Sequence, residues 1–377
     1  DTSRNIEVVV LDRDQDGIQQ ISDALQDRDD LDAIHIISHG SDGSVELGNT
    51  TLDAYTLEQN NLNIGLWANA FAETGDILIY GCDLAASEVG QSLISNLSDL
   101  TLADVAASDD LTGATSQGGD WALEFTVGQV ESRVAVSAEM QQEYQGTFAT
   151  YTVTSLADSG AGSLRDAIAQ ANSSGGADTI EFGVAGTINL SNGLPDINSQ
   201  ITIDGSTAPG YVDAPVVTLQ GSGTSGDDGL RFIAGSDNSE VRGLEIVNFD
   251  GVGILLTDSN GHTVVGNYIG TDGSTDQGNG SWGLEMTNSA NNTIGGNTAA
   301  DRNVISGNGI GGITFWGSGS NNNTVNGNYI GTNAAGTAAI ANTNDGIALG
   351  NGAYSNTIEN NVISGNNNDG IELGGSG

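Results

Sequence analysis

Covalent chemistry needs a nucleophile and a base, and this chain offers few of either. Its 377 residues include one cysteine, Cys82, and three histidines, His35, His39 and His262. Cys82 closes the apolar run ILIYGC (77–82), where small residues take over. A single cysteine makes no internal disulfide, so it is either a small buried hydrophobe or a reactive thiol. Carboxylates are plentiful. DRDQDGIQQISD (12–23) sets Asp12, Asp14, Asp16, Gly17 and Asp23 at the spacing of a calcium-binding loop. The last place of such a loop favours Glu, and VVVL before it reads as a strand, not an entering helix. A strand end, a turn at Asp16-Gly17 and a helix start account for the same residues. TDGSTDQGNG (271–280) and NSANN (288–292) offer oxygen ligands or plain turns. GxGxxG, P-loop, HExxH and CxxC motifs are absent from the sequence.

Eight basic residues, all Arg, face 49 acidic ones, for a net charge of −41. Such a surface repels nucleic acid and anionic membranes, so neither is an expected partner. It suits solubility, or a salty or calcium-rich exterior. No apolar run of about 18 residues exists, which excludes a spanning helix and membrane insertion of that kind. The first residues lack the basic start, apolar middle and cleavage site of a signal peptide. Export would use another signal or one outside this segment. The chain also ends inside a repeat, as expected of a piece of a longer protein.

The elements that position these residues change character near residue 150. Before it, strands alternate with helices. IEVVVLD (6–12) reads as a buried strand, IQQISDALQDR (18–28) as a helix and LDAIHIISHG (31–40) as a strand running into a turn. LNIGLWANAFAETG (62–75) reads as a helix stopped at Gly75. DILIYGC (76–82), EVGQSLISNLSDLT (88–101) and ADVAASDD (103–110) read as strand, helix and strand, and 120–136 as an antiparallel edge hairpin. The expected class over 1–148 is α/β, a mostly parallel sheet with helices on both faces, with ligands at the carboxyl ends of strands.

From 149 to 377 the chain repeats itself: HTVVGNYIGTDG, NTIGGN, RNVISGNG, NTVNGNYIG, NTIENNVISGN. Each repeat holds three short strands in some 20–30 residues, with Gly and Asn at corners, the pattern of an all-β solenoid. An amphipathic helix near 163–172 is expected to cap its open end.

These repeats resemble the right-handed parallel β-helix of bacterial surface and secreted proteins. YTVTSLADSGAGSLRDAIAQAN resembles the start of that module in adhesin-like proteins. DAIHIISHGSDG, GDILIYGCDLAAS, ADVAASDDLTG and GGDWALE resemble a family of unknown function near the N-terminus of giant bacterial surface proteins. The His-Gly and Gly-Cys strand ends also resemble the caspase–gingipain–legumain clan of cysteine peptidases.

That clan resemblance implies roles. Cys82 would be the nucleophile, and His39 its base at the neighbouring strand end. His35 would point to the same face, but His39 lies at the edge. Gly40 would leave room for substrate and, with the N–H of Cys82, stabilise an oxyanion. Asp109, Asp110 and Asp83 would receive an Arg or Lys side chain. Asp42 or Asp83 would favour the charged imidazole. The implied function is an exported cell-surface protein whose caspase-like domain cuts polypeptide, including itself, and whose β-helix is a stalk or binding surface. No cofactor is required, with calcium as an option. Two alternatives remain open. One is a non-enzymatic adhesion module that meets cell-surface or carbohydrate ligands. The other is a carbohydrate-active solenoid, with Asp228, Glu245, Asp250, Glu285 and Asp345 as candidate carboxylates and Trp282, Phe315 and Trp316 as sugar platforms.

Overall fold

The computed structural model describes residues 5–12, 15–115, 118–144, 146–221 and 226–374. It divides into two compact units, one of Asp1–Thr150 with Ser174–Asp178 and one of Tyr151–Ser173 with Thr179–Gly377. The whole is mixed α/β with large parallel sheets and few helices. Among the described residues no helix is long and apolar enough to cross a membrane.

In the first unit, α1 (Gly17–Leu25) is capped by Asp16, whose carboxylate accepts from the N–H groups of Ile18 and Gln19. β1 (Leu31–Ile37) follows, then three short antiparallel strands, β2 (Gly40–Ser41), β3 (Ser44–Leu47) and β4 (Thr50–Leu52). Helices α2 (Ala54–Gln59) and α3 (Asn61–Gly65) and a 3-10 turn (Leu66–Ala70) lead into β5 (Phe71–Tyr80). Next come α4 (Glu88–Thr101), β6 (Asp104–Ala107), β7 (Phe125–Val127) and α5 (Ala138–Glu143). The sheet order is β1-β5-β6-β7, with the first three parallel and β7 antiparallel.

Alternation along β5 and β6 decides what each face meets. Ile77, Ile79, Val105 and Ala107 pack with Ile18 and Ile21 of α1, Trp67, and Leu93, Ile94 and Leu97 of α4. Each large side chain so buried contributes roughly 1.5–3 kcal/mol. Leu78, Tyr80 and Ala106 face the other way, onto Trp121 and Val136, with Leu123, Val134, Tyr144 and Phe148 around them. This corrects the expectation of helices on both faces. The second face is covered by the stretches on either side of β7, around Trp121 and Val136, and by aromatic rings, and α5 buries none of its described residues there.

Three further expectations change. Residues 6–12 form no strand: β1 pairs directly with β5, and Ile6, Val8, Val9 and Val10 stand exposed. The helix expected to reach Gly75 stops at Ala70, because Phe71 already begins β5. Only Phe125–Val127 of the expected 120–136 hairpin is a strand, since the rest turns back over Trp121 and Tyr80.

In the second unit the strands of three parallel sheets, of seven, eight and six strands, are taken up in rotation along the chain. That strand order fits a solenoid. Register stacks like on like. Ile188, Leu219, Ile246, Ile269, Ile305, Ile330 and Ile363 occupy one row, and Leu230, Ile254, Leu284, Ile313 and Ile347 another. The helix α6 (Leu164–Ser174) adds Leu164, Ala167, Ile168 and Ala171 to the same core.

Between the sheets, asparagines form ladders. Side-chain amides run from Asn267 to Asn303, Asn328 and Asn361 at 3.2, 2.9 and 3.0 Å. A second ladder joins Asn279, Asn308, Asn342 and Asn366 at 3.1, 3.0 and 2.8 Å. A third joins Asn292, Asn323 and Asn356 at 2.8 and 3.0 Å. All of these Oδ1 atoms except that of Asn366 also accept a backbone N–H of the preceding coil, as Asn303 does from Asn267 at 3.0 Å. The turns use left-handed backbone at Asn248, Asn288, Asn322 and Asn360, which Asn tolerates better than most residues.

Asn303 is fully buried, donates to the Val264 carbonyl at 2.7 Å and serves both ladder neighbours. Asn303→Ala would orphan these groups and cost about 2–4 kcal/mol, several partners each losing a bond. Urea unfolding of the two proteins measures it. An unchanged midpoint would mean that the ladder adds nothing to stability.

Candidate functional site

The pairing of β1 with β5 ends with Ile37 beside Tyr80. Ser38 continues the ladder, its N–H donating to the Tyr80 carbonyl at 3.2 Å. His39 and Cys82 follow two residues after Ile37 and Tyr80, at the carboxyl end of the sheet. Beside both lies Phe148, a residue that sequence reasoning did not single out. The Phe148 backbone lies close enough to the imidazole and the thiol to act on the titration of both. The Phe148 ring meets His39 edge-on at 5.9 Å and stacks on Tyr144 at 5.1 Å. The neighbouring residues bridge to either side: Ala149 pairs with Gly40 and Thr147 with Gly113. Residues 147–149 thus lie along the carboxyl rim of the sheet.

Gly40 is buried and contacts backbone. A Cβ there would stand 2.9 Å from the Cα and carbonyl carbon of Gly81 and 3.1 Å from the Cys82 oxygen. Its lack of a side chain serves this close approach, which corrects the expectation that it leaves room for a substrate.

The electrostatics are those of a closed site. Cys82 is 1 % exposed. Its Sγ accepts from the Thr112 N–H at 3.2 Å and lies 3.7 Å from the Thr112 carbonyl. Burial first, then the charges of Asp83 and Asp178, push the thiol up to about 11. Burial holds the His39 imidazole down at about 4, and its Nδ1 is sealed without a partner. Near neutral pH both groups are uncharged, so the pair is not a thiolate beside an imidazolium. No carboxylate raises His39, contrary to the expectation for Asp42 and Asp83. Asp42 instead accepts from Ser87, N–H at 3.0 Å and Oγ at 2.5 Å, at the start of α4. His35 stays with Tyr80, its Nδ1 3.1 Å from the phenol oxygen.

The acidic residues expected to bind a basic side chain do gather at the end of β6. Asp83, in left-handed backbone, donates its N–H to the Asp110 carbonyl at 2.8 Å. Asp109, Asp110 and Glu124 lie exposed, with one carboxylate oxygen of each within 4.8 Å of the others. Partial burial and the neighbouring acids raise Asp83 and Asp110 above the usual carboxylate range. They form a surface patch, whereas Cys82 is inside.

The calcium-loop residues do not converge. Asp16 caps α1, Asp23 accepts from Gln19 at 2.7 Å, and Asp12 accepts from Gln15 at 2.6 Å. Asp14 lies outside the described residues. The helix absorbs the second half of the loop and spends its carboxylates locally.

Sequence reasoning also missed Thr112, Trp121, Tyr144 and Asp178. Asp178 is buried, pushed up to about 6 by desolvation, and accepts from the Ala149 N–H at 3.0 Å. It anchors the segment across the rim. The signal available was the isolated aromatic in QGTFAT at the composition boundary.

In the second unit the candidate carboxylates are scattered. Asp228 accepts from the Val252 N–H at 2.8 Å, and Asp345 from the Asp369 N–H at 3.0 Å. Glu245 and Glu285 belong to different sheets. Asp272 is tied to Ser274 and Thr275, which is turn chemistry. Phe315 is core, and Trp316 is 51 % exposed.

His39 predicts an acid-side loss of stability. Its depressed folded value means that stability is fully present above 6.5 and is lost as pH falls towards 4. His262, also held near 4, adds the same trend in the second unit. His39→Gln should remove on the order of 2 kcal/mol of that decline from the first unit. Denaturant titrations between the two values measure it, and unchanged slopes would contradict the burial of the imidazole.

Residues 1–148 match a family model described as Domain of unknown function (DUF4347). No curated protein matches the chain. The likeness to a domain of unknown function therefore rests on the first unit and extends to residue 148.

Proposed function

We propose that this chain is a non-catalytic adhesion or display module of an exported bacterial surface protein. The observation that carries this reading is the sealed, uncharged Cys82, 1 % exposed and held by Thr112. A thiol in that state is a poor nucleophile. The second unit would be a right-handed parallel β-helix serving as a stalk or binding surface. Its stacked rows and asparagine ladders suit a stiff rod, and the net charge of −41 suits a calcium-rich or salty exterior.

A second reading is a latent cysteine peptidase of caspase-like fold. It is favoured by the shared contact of His39 and Cys82 with Phe148, and by three buried polar atoms without partners nearby: His39 Nδ1, Thr112 Oγ1 and Trp121 Nε1. Displacing residues 147–149 would open the sulfur to water and to a peptide. His39 would then take the thiol proton as the sulfur attacks the carbonyl carbon, and return it to the leaving amine. Asp83, Asp109 and Asp110 would favour a basic side chain in the substrate.

The two readings separate on Cys82. In the native full chain, iodoacetamide should label it roughly 100-fold more slowly than in urea. Phe148→Gly should speed labelling by opening the rim. Mass spectrometry of the wild type, Phe148→Gly, and Phe148→Gly with Cys82→Ala then decides. Identical fragment patterns support the display module. Fragments made by Phe148→Gly and abolished by Cys82→Ala would sink it in favour of the latent peptidase.

A further inference from the structure

The opposite end of the same sheet carries a second cluster, unrelated to Cys82. Asp76 of β5 and Asp104 of β6 are register partners at the amino ends of the paired segments. The chain after β7 returns over them. Gly128, in left-handed backbone, passes so close that a Cβ would stand 1.7 Å from Asp104 Oδ1. Glu131 follows. One carboxylate oxygen from each of Asp76, Asp104 and Glu131 lies within 4.8 Å of the others.

Acidic groups on an acidic protein often meet at a surface, but Asp76 is fully buried. Its Oδ2 accepts the backbone N–H groups of Glu131 and Ser132 at 3.1 and 2.8 Å. Its Oδ1 is buried with no hydrogen-bond partner at all. Among the described residues no ion pair joins an arginine to any of the three carboxylates. A buried carboxylate is normally paired, hydrogen-bonded on both oxygens or bound to a metal. Here the groups that face it are two more carboxylates, which repel it. A hard divalent cation reverses that repulsion, and its geometry fits. Oxygens 2.3–2.6 Å from one Ca²⁺ stand at most about 5 Å apart, and Ca²⁺ accepts mixed carboxylate, carbonyl and water ligands.

We propose that Asp76, Asp104 and Glu131 form a calcium site that ties residues 128–132 to the sheet. Asp76 supplies the buried oxygen, Asp104 the neighbouring strand's ligand and Glu131 the exposed one that closes the site, with waters completing the shell.

The test uses the full chain, stripped with chelator, and Ca²⁺ as the probe. Calorimetric titration should give a saturable site, and Ca²⁺ should raise the thermal midpoint of the first unit. Glu131→Gln and Asp104→Asn should each weaken Ca²⁺ roughly tenfold or more. The double variant Asp109→Asn with Asp110→Asn, in the surface patch at the other end of the sheet, should bind as wild type. Asp76→Asn can fail to fold, so the exposed Glu131 carries the test. Wild-type affinity in Glu131→Gln and Asp104→Asn would overturn the site. So would uptake that never saturates and weakens equally with salt in every variant, the mark of the general negative field.

Discussion

A polar group removed from water must find a partner or lower stability, and this constraint runs through both units. The solenoid-like unit meets it by repetition. Within a ladder, an asparagine takes a backbone N–H of the coil before it and passes an amide hydrogen to the coil after it, as Asn303 does. Corners that would otherwise bury unpaired amides become a continuous chain of bonds. The apolar rows can then stack without interruption, because the turns between them cost little.

The first unit meets the same constraint unevenly, and its unmet groups mark its two ends. At the carboxyl edge, β1 and β5 run on to His39 and Cys82, and a third stretch of chain, residues 147–149, lies along the same edge. Thr112 holds the sulfur, Phe148 packs on the imidazole, and three polar atoms remain without partners. At the amino edge, Asp76 holds a loop with one oxygen and keeps the other buried without a hydrogen bond. The two clusters lie at opposite ends of the sheet and share no residue.

Burial also sets the protonation states that any function must use. Desolvation pushes the thiol up and the imidazole down, so both are neutral over a wide range of pH. A working thiolate–imidazolium pair would need water at the rim. The chemistry of the site is therefore a question of what covers it.

The sequence by itself determined the local features. Repeated N-T-[IV] and N-x-I-[SG]-G segments announce short strands and left-handed corners, because Gly and Asn tolerate backbone that other residues avoid. The amphipathic stretch near 163–172 announces its helix, and the apolar runs ending in His39-Gly40 and Gly81-Cys82 announce two strand ends. Tertiary structure decided the rest. IEVVVLD has the composition of a buried strand, yet β1 occupies the place beside β5 and leaves it outside. The Asp12–Asp23 spacing imitates a loop, yet a helix cap uses its carboxylates. The aromatic cover over Tyr80, the bar of residues 147–149 and the meeting of Asp76, Asp104 and Glu131 join residues far apart in the chain. Periodicity reports only which face of its own element a side chain takes. Which distant segment packs on that face depends on the shape and unmet hydrogen bonds of the folded surface, and no local pattern encodes them.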